Sequence, residues 1–206
     1  MLGIPSSELI LHPDNRLYHI NLKNEDIADT VILVGDQNRV ASISKYFSKM
    51  EYQSSHREFI AHTGFYNGKR FTVLSTGIGT DNIDIVLNEL DAAVNIDPQS
   101  RQIKDQKRIL NIVRLGTSGA LQENISVNDF VSSSHGLGLD GLLPFYLDWQ
   151  NVNESEISSA FLKHTTWPAN LPYPYCVSAN EALLKIFSDI SHCGITATAP
   201  GFYGPQ

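Results

Sequence analysis

Hydrophobic positions along this chain follow two patterns, and their alternation sets the fold class. Short β-branched runs read as buried strands: TVILVG at 30–35, ILNIV ahead of Arg114, then NDFVSSS and GITATA. Between them apolar residues recur near helical spacing. In DQNRVASISKYF they are Val40, Ile43 and Phe47, with Asp36 where an N-cap belongs. In TDNIDIVLNELDAAVNI they are Ile83, Val86, Leu87, Leu90 and Val94. SANEALLKIFSDI reads as a further helix, capped by Ser178 or Asn180. REFIAHTGFYNGKRFTVLST reads as two strands around an Asn-Gly turn. The polar first residues, through Asp29, read as an arm plus loops, and 140–175 as loop with some helix. Strands alternating with helices predict an α/β layered domain. Without repeats, low-complexity tracts or an obvious linker, residues 1–206 read as one domain.

Composition narrows the function classes. A chain of 206 residues, 42% hydrophobic, can bury one sizeable core. A formal charge of −7 argues against a general nucleic-acid binder, whose footprint would be basic. Cys176 and Cys193 are too few for a disulfide framework and fit reduced thiols. No secretory signal and no apolar run of about 18 residues is present, which predicts a soluble, cytoplasmic protein without membrane partners. The chain ends at APGFYGPQ, directly after the GITATA strand and with no closing helix, so it reads as lacking a C-terminal part.

Three strand-to-helix junctions carry the candidate chemistry, because α/β proteins bind ligands there. In VGDQNR a strand ends at Gly35, and the N–H groups of the following helix point at any bound anion, with Arg39 about one turn in. STGIGTDN is a glycine loop between strand and helix. RLGTSGA gathers Arg114, Thr117 and Ser118 at another strand end. Turn chemistry explains the glycines and hydroxyls but not a permanent cation at Arg114. GIGTDN lacks the third glycine of a dinucleotide fingerprint, and no Walker Lys-Ser/Thr follows a glycine run. Together the junctions read as an anion site flanked by arginines, whose forks match phosphate geometry. His12, His56, His62, His135, His164 and His192 show no metal-ligand spacing.

The ordered set LYHINLKNEDI, VILVGDQNRV, SSHREF, STGIGTDN, RLGTSGAL and GFYGPQ resembles the nucleoside phosphorylases of the uridine phosphorylase type, from His19 to the last residue. The resemblance implies a three-layer αβα fold with a mixed central sheet, phosphorylase/hydrolase-like, and an enzyme of the pentosyltransferase class. It implies that Gly35, Arg39, Arg114 and Thr117 bind inorganic phosphate, the co-substrate. Arg57 would reach the phosphate of a neighbouring protomer. His19 would cross the same interface to the ribose, which Thr117 also touches, and Phe202 and Gln206 would bind the base. The implied assembly is a homodimer unit with the active site shared across its interface, either alone or stacked into a hexamer. No cofactor or metal is implied, although Glu58 and Asn82 stand near the family's monovalent-cation position.

Two segments depart from the family pattern. Gln37 replaces the proline of GDPxR, and GIGTDN replaces the more frequent GIGGPS. The base-binding arginine and the Glu-Met-Glu segment that grips the ribose have no counterpart in this chain. The implied reaction is reversible phosphorolysis, uridine and phosphate giving uracil and ribose 1-phosphate in nucleoside salvage. A purine nucleoside phosphorylase, a hydrolytic nucleosidase and a non-catalytic nucleoside-binding homologue are the alternatives. The arginine clamp speaks against the hydrolase, which uses water, and the GPQ tail favours uridine.

Overall fold

The structure, a computed structural model, describes residues 3–204. The chain divides into two compact units, Met1–Thr117 and Ser118–Gln206. In the first, loops lead into β1 (Thr30–Val34), α1 (Gln37–Ser44), β2 (Lys49–His56), β3 (Phe59–Tyr66) and β4 (Lys69–Ser75). Then follow α2 (Thr80–Asn95), the short pair β5 (Ile96–Asp97) and β6 (Gln102–Ile103), and β7 (Asn111–Leu115). The main sheet has the order β2-β3-β4-β1-β7. β1 runs parallel to both β4 and β7, whereas β3 pairs antiparallel with β2 and β4. The sheet is therefore mixed.

The apolar run TVILV lies at β1 because both faces of that strand are covered, as parallel strands require. Val31 and Leu33 join a core cluster with Val86, Leu90 and Val94 of α2. Ile32 and Val34 pack in a second cluster with Val40 of α1. The two helices thus cover opposite faces, giving three layers within this unit. The N-terminal segment is more than a surface arm: Leu17, Ile20, Leu22 and Ile27 are buried in the larger cluster.

Predicted periodicities map well, with local differences. α1 stops at Ser44, so Phe47 lies beyond the helix, yet its ring still packs on the second cluster. Leu87 stays 40% exposed on α2. Asn67 and Gly68 both take positive φ (48° and 75°), the requirement of a two-residue hairpin turn of the primed type. β2 was not legible in KMEYQSSH because it is a polar, largely exposed edge strand. Consequently Arg57, expected to start a strand, sits in the tight turn between β2 and β3 at φ 55°.

The second unit contains β8 (Val131–Gly138), α3 (Ser155–His164), β9 (Tyr175–Ser178), α4 (Glu181–Ile186) and β10 (His192–Thr198). Its sheet has the order β10-β8-β9, with β10 parallel and β9 antiparallel to β8. Asn180 is the α4 cap, its side chain accepting the Leu183 N–H at 3.1 Å. Cys176 and Cys193 are free thiols, the first buried. Among the described residues no helix is long and apolar enough to cross a membrane.

Candidate active site

Three parallel strands end side by side in the first unit. In the register, Val34 lies opposite Ser75 of β4 and Leu115 of β7. The loops that leave these strand ends hold Gly35, Gly77 and Gly116. The Thr76 N–H donates to the Val34 carbonyl at 2.8 Å, tying two of the ends together. Among the described residues the Gly35 N–H has no acceptor. Asp36 caps α1, its carboxylate accepting the Asn38 N–H at 2.9 Å. The open N-terminal end of α1 thus faces the crest, an arrangement that favours anions.

Arg114 belongs to this crest. It is exposed at the end of β7, and its guanidinium folds back over its own turn. A Cβ added at Gly116 would lie 2.6 Å from its Nη1, and one at Gly35 would lie 3.9 Å from its Nη2. Gly116 therefore leaves room for the cation, and Gly35 lies within ordinary contact of it. Arg39, half-buried on α1, and Arg114 make no side-chain hydrogen bond or ion pair among the described residues. Arg114, a cation without a partner near Gly35, can take an oxyanion by charge-assisted hydrogen bonds, and Arg39 stands in the first turn of α1. Thr117 is exposed just past Gly116, at the end of this unit.

Arg57 and His19 form a second group. The Arg57 guanidinium lies 5.3 Å over the Tyr18 ring and donates to the Tyr18 hydroxyl at 3.3 Å. His19 contacts the Tyr18 ring edge-on, with centroids 5.0 Å apart, and its Nδ1 lies 2.6 Å from Glu89 Oε1. His56 Nδ1 lies 3.0 Å from the His19 carbonyl. Two side chains fix the 57–58 turn to the crest: Gln37 Nε2 donates to the Arg57 carbonyl at 3.1 Å, and Ser75 Oγ donates to the Glu58 carbonyl at 2.7 Å. Gln37, where the family has proline, thus gives the turn a tie that a proline could not provide.

Glu58 and Asn82 flank one glycine. Gly77 has φ 71°, and a Cβ there would meet Asn82 Nδ2 at 2.6 Å and Glu58 Cγ at 3.1 Å. The Asn82 amide donates to the Ile78 carbonyl at 3.2 Å, which leaves its oxygen as acceptor. Among the described residues no group of three or more His, Cys, Asp or Glu could hold a metal ion. Phe202 is 73% exposed in the second unit and pairs edge-on with Tyr203. Gln206 lies outside the described residues.

Sequence reasoning gave no role to Gln37, Ser75, Thr76 or Glu89. Gln37 carried a signal as a departure from the family pattern, and Glu89 occupies the stripe of Val86, Leu90 and Ala93 on α2, where an apolar residue belongs.

Comparison with known proteins agrees with this fold. Residues 29–206 match the family model described as Phosphorylase superfamily. The uridine phosphorylase of Thermococcus kodakarensis is 30% identical over 188 residues, 90% of this chain and 56% of that protein. The uridine phosphorylase of Salmonella typhimurium is 28% identical over 192 residues, 92% of this chain and 64% of its own length. A DeoD-type purine nucleoside phosphorylase of Clostridium perfringens is 37% identical over 120 residues, 57% of this chain and 46% of that protein. A Trypanosoma brucei nucleoside phosphorylase with uridine phosphorylase activity superposes with a TM-score of 0.83 at 29% identity, over 96% of this chain and 71% of that one. The chain spans less than two thirds of the length of the three relatives matched by sequence. The mixed α/β sheet, the glycine-lined crest at its parallel strand ends and the family match over residues 29–206 lead to one assignment: the chain belongs to the phosphorylase superfamily.

Proposed function

We propose that this chain carries phosphorolysis of a pyrimidine nucleoside, converting uridine and inorganic phosphate reversibly into uracil and ribose 1-phosphate. The observation that carries this reading is Arg114, an exposed cation without a partner among the described residues, folded over Gly116 and near Gly35, whose N–H has no acceptor among them. Phosphate is the co-substrate. The Gly35 N–H, Arg39, Arg114 and the Thr117 hydroxyl hold it, and Arg57 is delivered from a neighbouring copy of the chain. His19 crosses the same interface to the ribose 5′-hydroxyl. Phe202 packs on the base and Gln206 hydrogen-bonds it. Residues 1–206 belong to one phosphorylase-like domain of a cytoplasmic protein whose assembly unit is a homodimer.

Held beneath C1′, phosphate acts as an oriented nucleophile and offsets the positive charge that grows on the sugar as the glycosidic bond stretches. The electron pair of that bond leaves with the base, and the phosphate oxygen forms the new bond to C1′. No covalent enzyme intermediate is needed.

A purine substrate is the second reading, favoured by the higher identity of the purine-type relative over its shorter match. Absorbance measurements of base release from uridine and from inosine, with and without phosphate, separate the readings. Phosphate-dependent uracil release is expected. Hypoxanthine release alone would assign a purine phosphorylase, release without phosphate a hydrolase, and no release a nucleoside-binding protein.

A further inference from the structure

The half-buried carboxylate of Glu89 is committed to one short stretch of backbone and one ring. Its oxygens accept the His19 N–H at 3.0 and 3.2 Å and the Ile20 N–H at 2.9 Å, and Oε1 lies 2.6 Å from His19 Nδ1. The Glu89 side chain is 14% exposed and that of His19 is 28% exposed. An ionised carboxylate only accepts hydrogen bonds, so His19 Nδ1 must carry the proton in this pair. In the neutral ring Nε2 is then an acceptor, turned away from Glu89. The ring is also braced, by Tyr18 against its edge and by His56 on the His19 carbonyl. The other titratable or charged groups nearby are His12, stacked near Tyr18 and His56, and Arg57 over Tyr18.

We propose that Glu89 is a positioning residue for the nucleoside site: it holds His19 as the Nδ1–H tautomer, so that Nε2 accepts the proton of the substrate's 5′-hydroxyl. This rests on the reading of His19 as a ribose contact. A histidine without such a partner chooses its tautomer by solvent, and an Nε2–H would present a donor where this site presents an acceptor. The arrangement makes the site selective for a sugar whose 5′ position can donate a hydrogen bond. Discrimination arises because an acceptor held in place and left unpaired costs binding.

Nitrogen-15 spectra of the histidine-labelled intact protein test the tautomer directly, before any variant is made. His19 is expected with a protonated Nδ1 and a pyridine-like Nε2. In Glu89→Gln, whose amide can donate as well as accept, the His19 signals shift toward a tautomer mixture. KM for uridine then rises about five- to tenfold with kcat nearly unchanged, as for loss of one hydrogen bond. KM for 5′-deoxyuridine, which lacks the donor, changes by no more than about twofold, because it never made that bond. An Nε2–H tautomer in the unaltered protein, or Glu89→Gln with unmoved His19 signals, would overturn the proposal. His19→Ala provides the separate check: if the ratio of uridine to 5′-deoxyuridine KM is unchanged in that variant while the unaltered protein shows the Nδ1–H tautomer, the ribose reading of His19 has failed.

Discussion

Arg114 shows how a single residue can carry functional information. A cation is ordinary when it pairs with a carboxylate, as Arg108 ahead of β7 does with Asp29 at 2.7 Å. Arg114 has no such partner among the described residues, and the glycine after it leaves the space its guanidinium occupies. Arg114→Ala should therefore leave the thermal melt unchanged. A hydrogen bond to a charged group contributes about 1.5–3 kcal/mol, so the phosphate KM should rise about ten- to a hundredfold. Phosphate titrations of initial rate provide the check, and unchanged phosphate kinetics would remove Arg114 from the site. Arg114 was legible in the sequence because nothing in its turn chemistry required a charge. Gln37 and Ser75 were not, since their role is to hold the Arg57 and Glu58 carbonyls across sequence gaps of 20 and 17 residues.

Between elements, the contact of α1 with β3 contains a titratable group. His62 on β3 lies 2.7 Å from Ser44 Oγ on α1, and burial lowers the His62 pKa below its ordinary 6.5. The folded state therefore binds this proton less readily than the unfolded chain. The contribution to stability is fully present above the unfolded value and is lost as pH falls through it toward the folded one. Urea melts of the protein should weaken as pH falls from neutral through 6.5 and below, and His62→Gln should flatten that slope. An unchanged slope in the variant would assign the acid sensitivity to other groups. The hairpin of β3 and β4 was readable from Asn67-Gly68 because that dipeptide tolerates positive φ. β2 was not, because its residues are polar and its strand identity comes only from pairing with β3.

At the scale of the whole molecule, the proposed site is shared: Arg114 acts in its own protomer and Arg57 in the neighbour's. Arg57→Ala and Arg114→Ala should each be nearly inactive with limiting phosphate. Co-expressed in equal amounts, they should regain about a quarter of the sites, since half the dimers are mixed and each mixed dimer has one intact site. Rates of the mixed preparation that simply average the two variants would mean that both arginines act within one protomer. The sequence alone determined the α/β class, the position of β1, α1, the β3–β4 hairpin, α2 and β7, and the cation at Arg114. These are local matters of period, capping, turn chemistry and a charge without a local reason. Tertiary structure alone decided that β1 lies between β4 and β7, that their three ends form one crest, and that Arg57 sits in a turn tied by Gln37 and Ser75. It also decided that Glu89, 70 residues from His19, meets its ring. Such pairings depend on which elements the hydrophobic clusters bring together, and a single sequence does not encode that in any short stretch.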